Sequence, residues 1–497
     1  MKNNINKYIL EVVIFICGAV VMIFELVGSR ILAPYLGTSI FVWTSLIGIV
    51  LGSLSGGYYW GGKIADKKVS FSGLSKLALA AAFFIGLTAL VKDLLILILL
   101  KNLVGIKLTS IVSSIMLFAP ASILLGMVSP YIAKLKLVSL DNAGKTMGNL
   151  YAISAAGSIG GTFLAGFYLI PNFGVNKILI ILALSLLIIS VVLAKKNFIK
   201  TKIIFLALLL SGLASDNGLT YFFQKDSFVD INTAYSRIWI YDDVDKETNR
   251  KARYLLVNSV MNSGMFFGSD DLLFPYTKYY HLAKHFNPSF KKTLMLGGAG
   301  YSFPKDFLSK YPEASIDVVE IDPAMTQIAK KYFQLKDNPQ LNIYHEDGRM
   351  FLNRTQAKYD VIFGDAFNSY YSVPYQLTTI EATKNIYNAL NDEGVVILNV
   401  VSAIEGSRGE FLRAQYRTYK SVFPQVYVFP VQKSTDGNEF QNLMIVALKG
   451  EKLPTFESAD KELNEYLANI WKKEIANDMP ILTDDYAPVD NYLGHAI

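Results

Sequence analysis

Six long apolar runs constrain this chain more than any other feature. They lie at about 8–28, 39–61, 74–91, 108–133, 147–170 and 176–194. Each approaches or exceeds the ~20 residues that a helix needs to cross a bilayer. The first run is not expected to be a cleaved signal, because no small-residue cleavage site follows it and five comparable runs do. A seventh run, Ile203–Ala214, is short and would complete a crossing only by recruiting its flanks. Leu94–Leu100 is shorter still and reads as interfacial. Small residues recur at helix-packing spacing at Gly48, Gly52 and Gly56, and again at Gly157 and Gly161, which predicts close helix approach.

Charge divides the chain at the same place. Of 47 Lys+Arg and 41 Asp+Glu, residues 1–214 hold 18 and 5, leaving 29 and 36 for residues 215–497. The overall +6 therefore joins a basic helical half to an acidic globular half, and gives no reason to expect nucleic acid. Lys63, Lys67, Lys68 and Lys76 follow the second run, Lys134, Lys136 and Lys145 the fourth, and Lys195, Lys196, Lys200 and Lys202 the sixth. Positive charge collects on the cytoplasmic side, so these loops and the amino terminus are expected inside. If the seventh run does not cross, the globular half is cytoplasmic, and the supply of a nucleoside cofactor favours that side. If it does cross, that half is outside. Glu25 and Arg30, in or at the end of the first run, are either an interhelical pair or part of a substrate path. GGKIADKK (Gly61–Lys68) is weakly similar to the cytoplasmic loop of major-facilitator transporters.

One cysteine, Cys17, excludes an intrachain disulfide and a cysteine-based metal site. His281 and His285 lie four apart on a predicted helix, but no third ligand suggests itself, so no metal is expected.

The globular half centres on Thr293–Asp322, TLMLGGAGYSFPKDFLSKYPEASIDVVEID. It reads as a strand, a glycine turn at Gly297, Gly298 and Gly300, a helix, and a second strand ending in Glu320. An acid ~20 residues past such a turn is placed to bind ribose hydroxyls. Further strands are predicted at Ser236–Tyr241, Tyr254–Val257, Leu341–His345, Tyr359–Gly364, Gly394–Val401, Val426–Val431 and Leu443–Leu448, with helices between most of those in the later part. That alternation predicts a doubly wound, mostly parallel sheet behind a small β unit. Glu320, Asp347 and Asp365 recur at the carboxyl ends of successive strands, the edge where such sheets bind ligands. The predicted domains are a membrane domain at 1–214, a linker and small β unit at 215–290, and an α/β domain at 291–497.

GGAG, VVEIDP, EDGRMFL and YDVIFGDAF, in this order and spacing, resemble the spermidine synthase family (polyamine aminopropyltransferases). LTDDYAPVD (Leu482–Asp490) is similar to the tail of proteins that fuse a multi-span segment to such a domain. The resemblance implies a Rossmann-like fold of the S-adenosylmethionine-dependent transferase type and a membrane-bound enzyme. By it, Glu320 holds the ribose, Asp347 with Gly348 the adenine, and Gly297, Gly298 and Gly300 the amino-acid end of the donor, while Asp365 is the catalytic base. The donor is decarboxylated S-adenosylmethionine, the acceptor a small amine, and homodimerisation an option. Three departures stand out. The family turn GGGDGG carries an aspartate where this chain has Ala299-Gly300. The family DSxD has a second acid where this chain has Asn368. The family's upstream glutamine is replaced by Asn262 or Thr277. Tyr276 is also expected near the substrate, and Asp484 and Asp485 are candidates to restore the lost charge. Two other readings stay open: an S-adenosylmethionine-dependent methyltransferase on the same fold, and a transporter or membrane scaffold whose nucleoside domain senses ligand.

Overall fold

The structure, a computed structural model, describes residues 8–103, 105–137, 142–194, 199–214, 227–366, 373–433 and 436–495. It divides into two compact units: the helices together with Ile231–Arg237, and Lys225–Asp230 together with the chain from Ile238 onward.

The first unit contains α1 (Ile9–Leu36), α2 (Ile40–Lys67), α3 (Phe71–Asn102), α4 (Ile106–Lys136), α5 (Ala143–Leu164), α6 (Val175–Leu193) and α7 (Ile199–Ala214). A π-helical turn, Ala165–Leu169, extends α5 to Asn172. Six of these helices, α1 to α6, are each long and apolar enough to cross a membrane on their own. Leu94–Leu100 is not a separate interfacial piece, because it continues α3 without a break. The glycine spacing is half informative. Gly157 and Gly161 do face the α1 backbone at Phe15 and Ala19, but Gly48 and Gly52 meet nothing. The α2 packing face is instead Gly57 and Gly61 against α4. A Cβ on Gly57 would lie 2.3 Å from the Ile123 carbonyl oxygen. One residue along a helix turns the side chain by about 100°, so an adjacent glycine series faces a different neighbour.

Ahead of the main sheet in sequence comes a four-stranded sheet ordered β1-β2-β3-β4: Val229–Asn232, Arg237–Val244, Lys251–Val257 and Val260–Phe266. β4 is absent from the sequence prediction, because VMNSGMF interrupts its apolar positions with Asn262 and Gly264. The stretch Tyr276–Phe286 is helical only in short pieces: Pro275–Lys278, a 3-10 turn Tyr279–His281, and Leu282–Phe286.

The main sheet has seven strands: β5 (Lys292–Leu296), β6 (Ser315–Val319), β7 (Leu341–Tyr344), β8 (Tyr359–Gly364), β9 (Leu390–Ser402), β10 (Gln425–Pro430) and β11 (Gln441–Leu448). Their order is β10-β11-β9-β8-β5-β6-β7. β9, β8, β5, β6 and β7 pair in parallel, and β11 is antiparallel to both its neighbours. Parallel strands are buried on both faces, which is why LMLG, DVVE and VIFG read as continuous apolar runs. Helices α8 (Ser302–Lys310), α9 (Pro323–Tyr332), α10 (Gly348–Arg354), α11 (Ile380–Ala389) and α12 (Glu410–Lys420) cover it. Local chemistry starts several of them. Asp322 caps α9 through the Ala324 N–H with Pro323 in its first turn, and Thr379 caps α11 through Ala382. Successive strands run outward from β5 through β6 to β7, then the chain returns to β8 on the other side. The crevice at the carboxyl ends of β5 and β8 is therefore the switch point, where ligands bind in sheets of this kind.

Candidate active site

The β5 turn and the end of β8 meet at that crevice. The Asp365 N–H donates to the Leu296 carbonyl at 2.9 Å. Gly297 has φ +94°, and a Cβ there would lie 2.4 Å from the Asp365 carbonyl oxygen, so both the conformation and the close approach require glycine. Ala299 and Tyr301 also have left-handed φ, +44° and +55°, a conformation that costs a non-glycine residue roughly 1 kcal/mol. Tyr301 is fully buried and bonds Thr326 at 2.7 Å, with His345 beyond it at 2.9 Å. A buried network therefore holds the turn in its strained shape.

Glu320 stands behind the turn. One carboxylate oxygen accepts the N–H groups of Gly298 and Ala299 at 2.9 and 3.1 Å, and the other accepts the Asp322 N–H at 3.0 Å. Burial pushes its pKa up against the pull of these donors. Asp347 caps α10, accepting from the Arg349 and Met350 N–H groups, and its other oxygen lies 3.4 Å from the Gln376 amide. Gly348 starts that helix with Leu377 and Leu296 alongside. Glu320, Asp347, Gly348 and Gly300 lie at the same sheet edge but outside the lining of the cavity beside Asp365.

That cavity, about 490 Å³, is lined by Gly297, Gly298, Asn262, Tyr276, Thr277 and Asp365 among others. Asp365 is held by neutral donors. Tyr276 Oη donates to one oxygen at 3.1 Å and Asn399 Nδ2 to the other at 3.0 Å, and Asn442 Nδ2 donates to the Asn399 amide oxygen at 3.0 Å. Tyr280 Oη donates to the Gly364 carbonyl at 3.1 Å. Burial pushes the Asp365 carboxyl up to about 6, although the Asn399, Tyr276 and Tyr280 groups pull the other way. Such a group is half-ionised near pH 6 and suited to moving a proton.

Several expected substrate residues fall elsewhere. Asp484 is bound by Arg349 at 2.6 and 3.0 Å and by Thr379 at 2.7 Å, which fastens the carboxyl-terminal segment to α10 and α11. Neither Asp484 nor the exposed Asp485 lines the cavity, so neither restores the charge missing from the turn. Asn368 lies outside the described residues. His281 and His285 serve different partners: His281 bonds Asp306 and Tyr311, and His285 the Thr455 carbonyl. Among the described residues no group of three His, Cys, Asp or Glu could hold a metal ion. Sequence reading misses Asn399 and Asn442. A polar residue inside GVVILNVV is the available signal.

The fold of the second unit is a doubly wound, Rossmann-like domain. Within it, residues 274–451 match the spermine/spermidine synthase domain. A polyamine aminopropyltransferase of Vibrio vulnificus is 31% identical over 184 residues, 36% of this chain and 59% of the relative. One from Streptococcus pneumoniae is 30% identical over 181 residues, 35% and 62% of the two chains. The chain thus spans less than two thirds of these relatives. A probable spermidine synthase structure from Corynebacterium glutamicum aligns with 47% of this chain and 83% of its own, at 22% identity and TM-score 0.41.

Proposed function

We propose that this chain is a membrane-bound aminopropyltransferase. It moves the aminopropyl group of decarboxylated S-adenosylmethionine to an amine such as putrescine, with Asp365 as base. The observation that carries this reading is the charge of the cavity. Its two charged lining residues, Asp365 and Glu247, are acidic, and no Lys, Arg or His is among its described lining. The donor is cationic at sulfonium and ammonium, and the acceptor is an amine. S-adenosylmethionine would add a carboxylate, and burying a charge without a partner is costly. The same observation weighs against methyl transfer, whereas Ala299, where the family has an aspartate, leaves the donor ammonium with less to hold it.

The amine nitrogen attacks the methylene carbon bonded to the sulfonium. The C–N bond forms as the C–S bond breaks, the electron pair passes to sulfur, and methylthioadenosine leaves as a neutral thioether. The nitrogen gives up its proton to Asp365. An amine has a pKa near 10 in water, so a carboxylate at about 6 faces a gap of about 5 kcal/mol. Burial of the ammonium lowers its pKa and narrows that gap. Glu320 and Asp347 would hold the ribose and adenine, and Tyr276 and Asn262 would flank the acceptor.

The test is product analysis of the purified full chain with each donor and putrescine. Methylthioadenosine is expected. S-adenosylhomocysteine would replace this reading with methyl transfer, and ligand binding without turnover would replace it with a sensor.

A further inference from the structure

Polar contacts hold each end of the helical unit, and they put the beginning of α7 and Ile231–Arg237 at opposite ends. At the end bearing the α1 amino terminus, Glu11 pairs with Lys136, and Asp66 with Lys134 at 2.9 Å. Lys202, near the start of α7, is buried at this same end. Its ammonium donates to the Ser190 and Ala194 carbonyls at 2.8 Å and to Ser75 Oγ at 3.3 Å. Ser75 is early in α3, and Ser190 is late in α6.

Further along, Phe205 of α7 packs on Phe83 of α3, with centroids 6.0 Å apart. Contacts thus advance together along the two helices, from Ser75 to Phe83 and from Lys202 to Phe205. α7 leaves this end parallel to α3. Ile231–Arg237, which belongs with the helices, is held at the other end. Arg30, near the carboxyl end of α1, bonds the Ala234 carbonyl. Arg237 pairs with Asp93 at 3.0 Å, and Asp93 also takes Tyr35 Oη at 2.8 Å and Lys92 at 2.6 Å. Gly174, in the turn between α5 and α6, faces Asn232.

We infer that α7 crosses the membrane, so that Ile231–Arg237 lies on the face opposite the amino terminus. Something between Lys202 and Ile231 must cover the hydrocarbon thickness of ~30 Å. The 13 residues of α7 from Lys202 to Ala214 supply about 20 Å as helix, a shortfall that a bilayer meets by local thinning. The alternative is to lay α7 flat and thread residues 215–230 through lipid. That segment carries Asp216, Asn217, Lys225, Asp226 and Asp230, and lipid excludes charged groups and unpaired backbone.

The lysine-rich loops mark the first end as cytoplasmic, so the chain leaves Ile231–Arg237 on the outer face. This is the opposite of the side that cofactor supply alone suggests. Arg30 becomes an anchor for the exit segment rather than part of a path. The inference rests on the helical unit and is independent of the reaction catalysed.

The test uses single cysteines in the full chain with Cys17→Ser, at Lys67 and at Lys246, both exposed. A membrane-impermeant maleimide is applied to right-side-out vesicles and then after detergent. Lys246→Cys is expected to label in intact vesicles, and Lys67→Cys only after detergent. The same pattern at both positions would overturn the crossing of α7, and the reversed pattern would overturn the orientation. Full labelling of both in detergent confirms that each thiol is reactive, and a monodisperse gel-filtration peak that each variant is folded.

Discussion

Glu320 and Asp365 sit at the carboxyl ends of strands separated only by β5, and burial raises both pKa values. They differ in what holds them. Glu320 accepts three backbone N–H groups, two of them from the turn in front of it. Its charge fixes the shape of the backbone. Asp365 has a tyrosine hydroxyl and an asparagine amide on its side chain, and it faces the cavity. These neutral partners orient the carboxylate without committing it. One acid is fixed in place to build the turn, and the other is left able to take a proton.

The largest expected effect separates these roles. Asp365→Asn should lower turnover by about 10²–10⁴ and leave donor affinity nearly unchanged in a binding titration. Turnover that survives would remove Asp365 from the chemistry. The wild-type kcat/KM should rise with pH through about 6, where the carboxyl ionises, and the remaining activity of Asp365→Asn should lack that limb. Stability carries the opposite sign. Because the folded pKa lies above the ordinary value of 3.8, this group's contribution is full below about pH 4 and lost as pH rises through about 6. Urea titrations should show that slope flattened in the asparagine variant.

Glu320→Gln comes next. Its amide can accept from the turn only by pointing N–H atoms at the Asp322 N–H, leaving a buried donor unpaired. A stability loss of about 1–3 kcal/mol is expected, together with weaker donor binding, whereas an unaffected donor affinity would detach the turn from the ligand. Asn399→Leu removes one hydrogen bond to the Asp365 carboxylate, worth about 1.5 kcal/mol. The acid limb of kcat/KM should move up by about one pH unit. The smallest effect is at Ala299, whose positive φ should make Ala299→Gly stabilising by about 0.5–1 kcal/mol in thermal unfolding. Ala299→Asp, also tolerated in that conformation, should tighten the cationic donor several-fold.

Much of this architecture is legible in the amino-acid sequence. Apolar runs mark six helices, and the spacing of GGAG, VVEIDP, EDGRMFL and YDVIFGDAF marks the sheet and its acidic edge. What stays hidden depends on rotation or on distance in sequence. Gly57 and Gly61 are offset from the Gly48 series by one step, which composition does not resolve into faces. Asn399 and Asn442 reach Asp365 only because β9 pairs with β8 and β11 with β9. Asp347 looks like a ligand group and is also a helix cap, because one residue type suits both tasks. Asp484 looks free to approach the site, yet Arg349, 135 residues earlier, holds it elsewhere.

The central claim is that this cavity, acidic in its charged lining and floored by Asp365, takes a donor without a carboxylate. Calorimetric titration of the full-length protein in detergent, with decarboxylated S-adenosylmethionine and S-adenosylmethionine in parallel, tests it most directly. The decarboxylated donor should bind at least tenfold more tightly, and that advantage should grow in Ala299→Asp. Equal or tighter binding of S-adenosylmethionine would contradict the account.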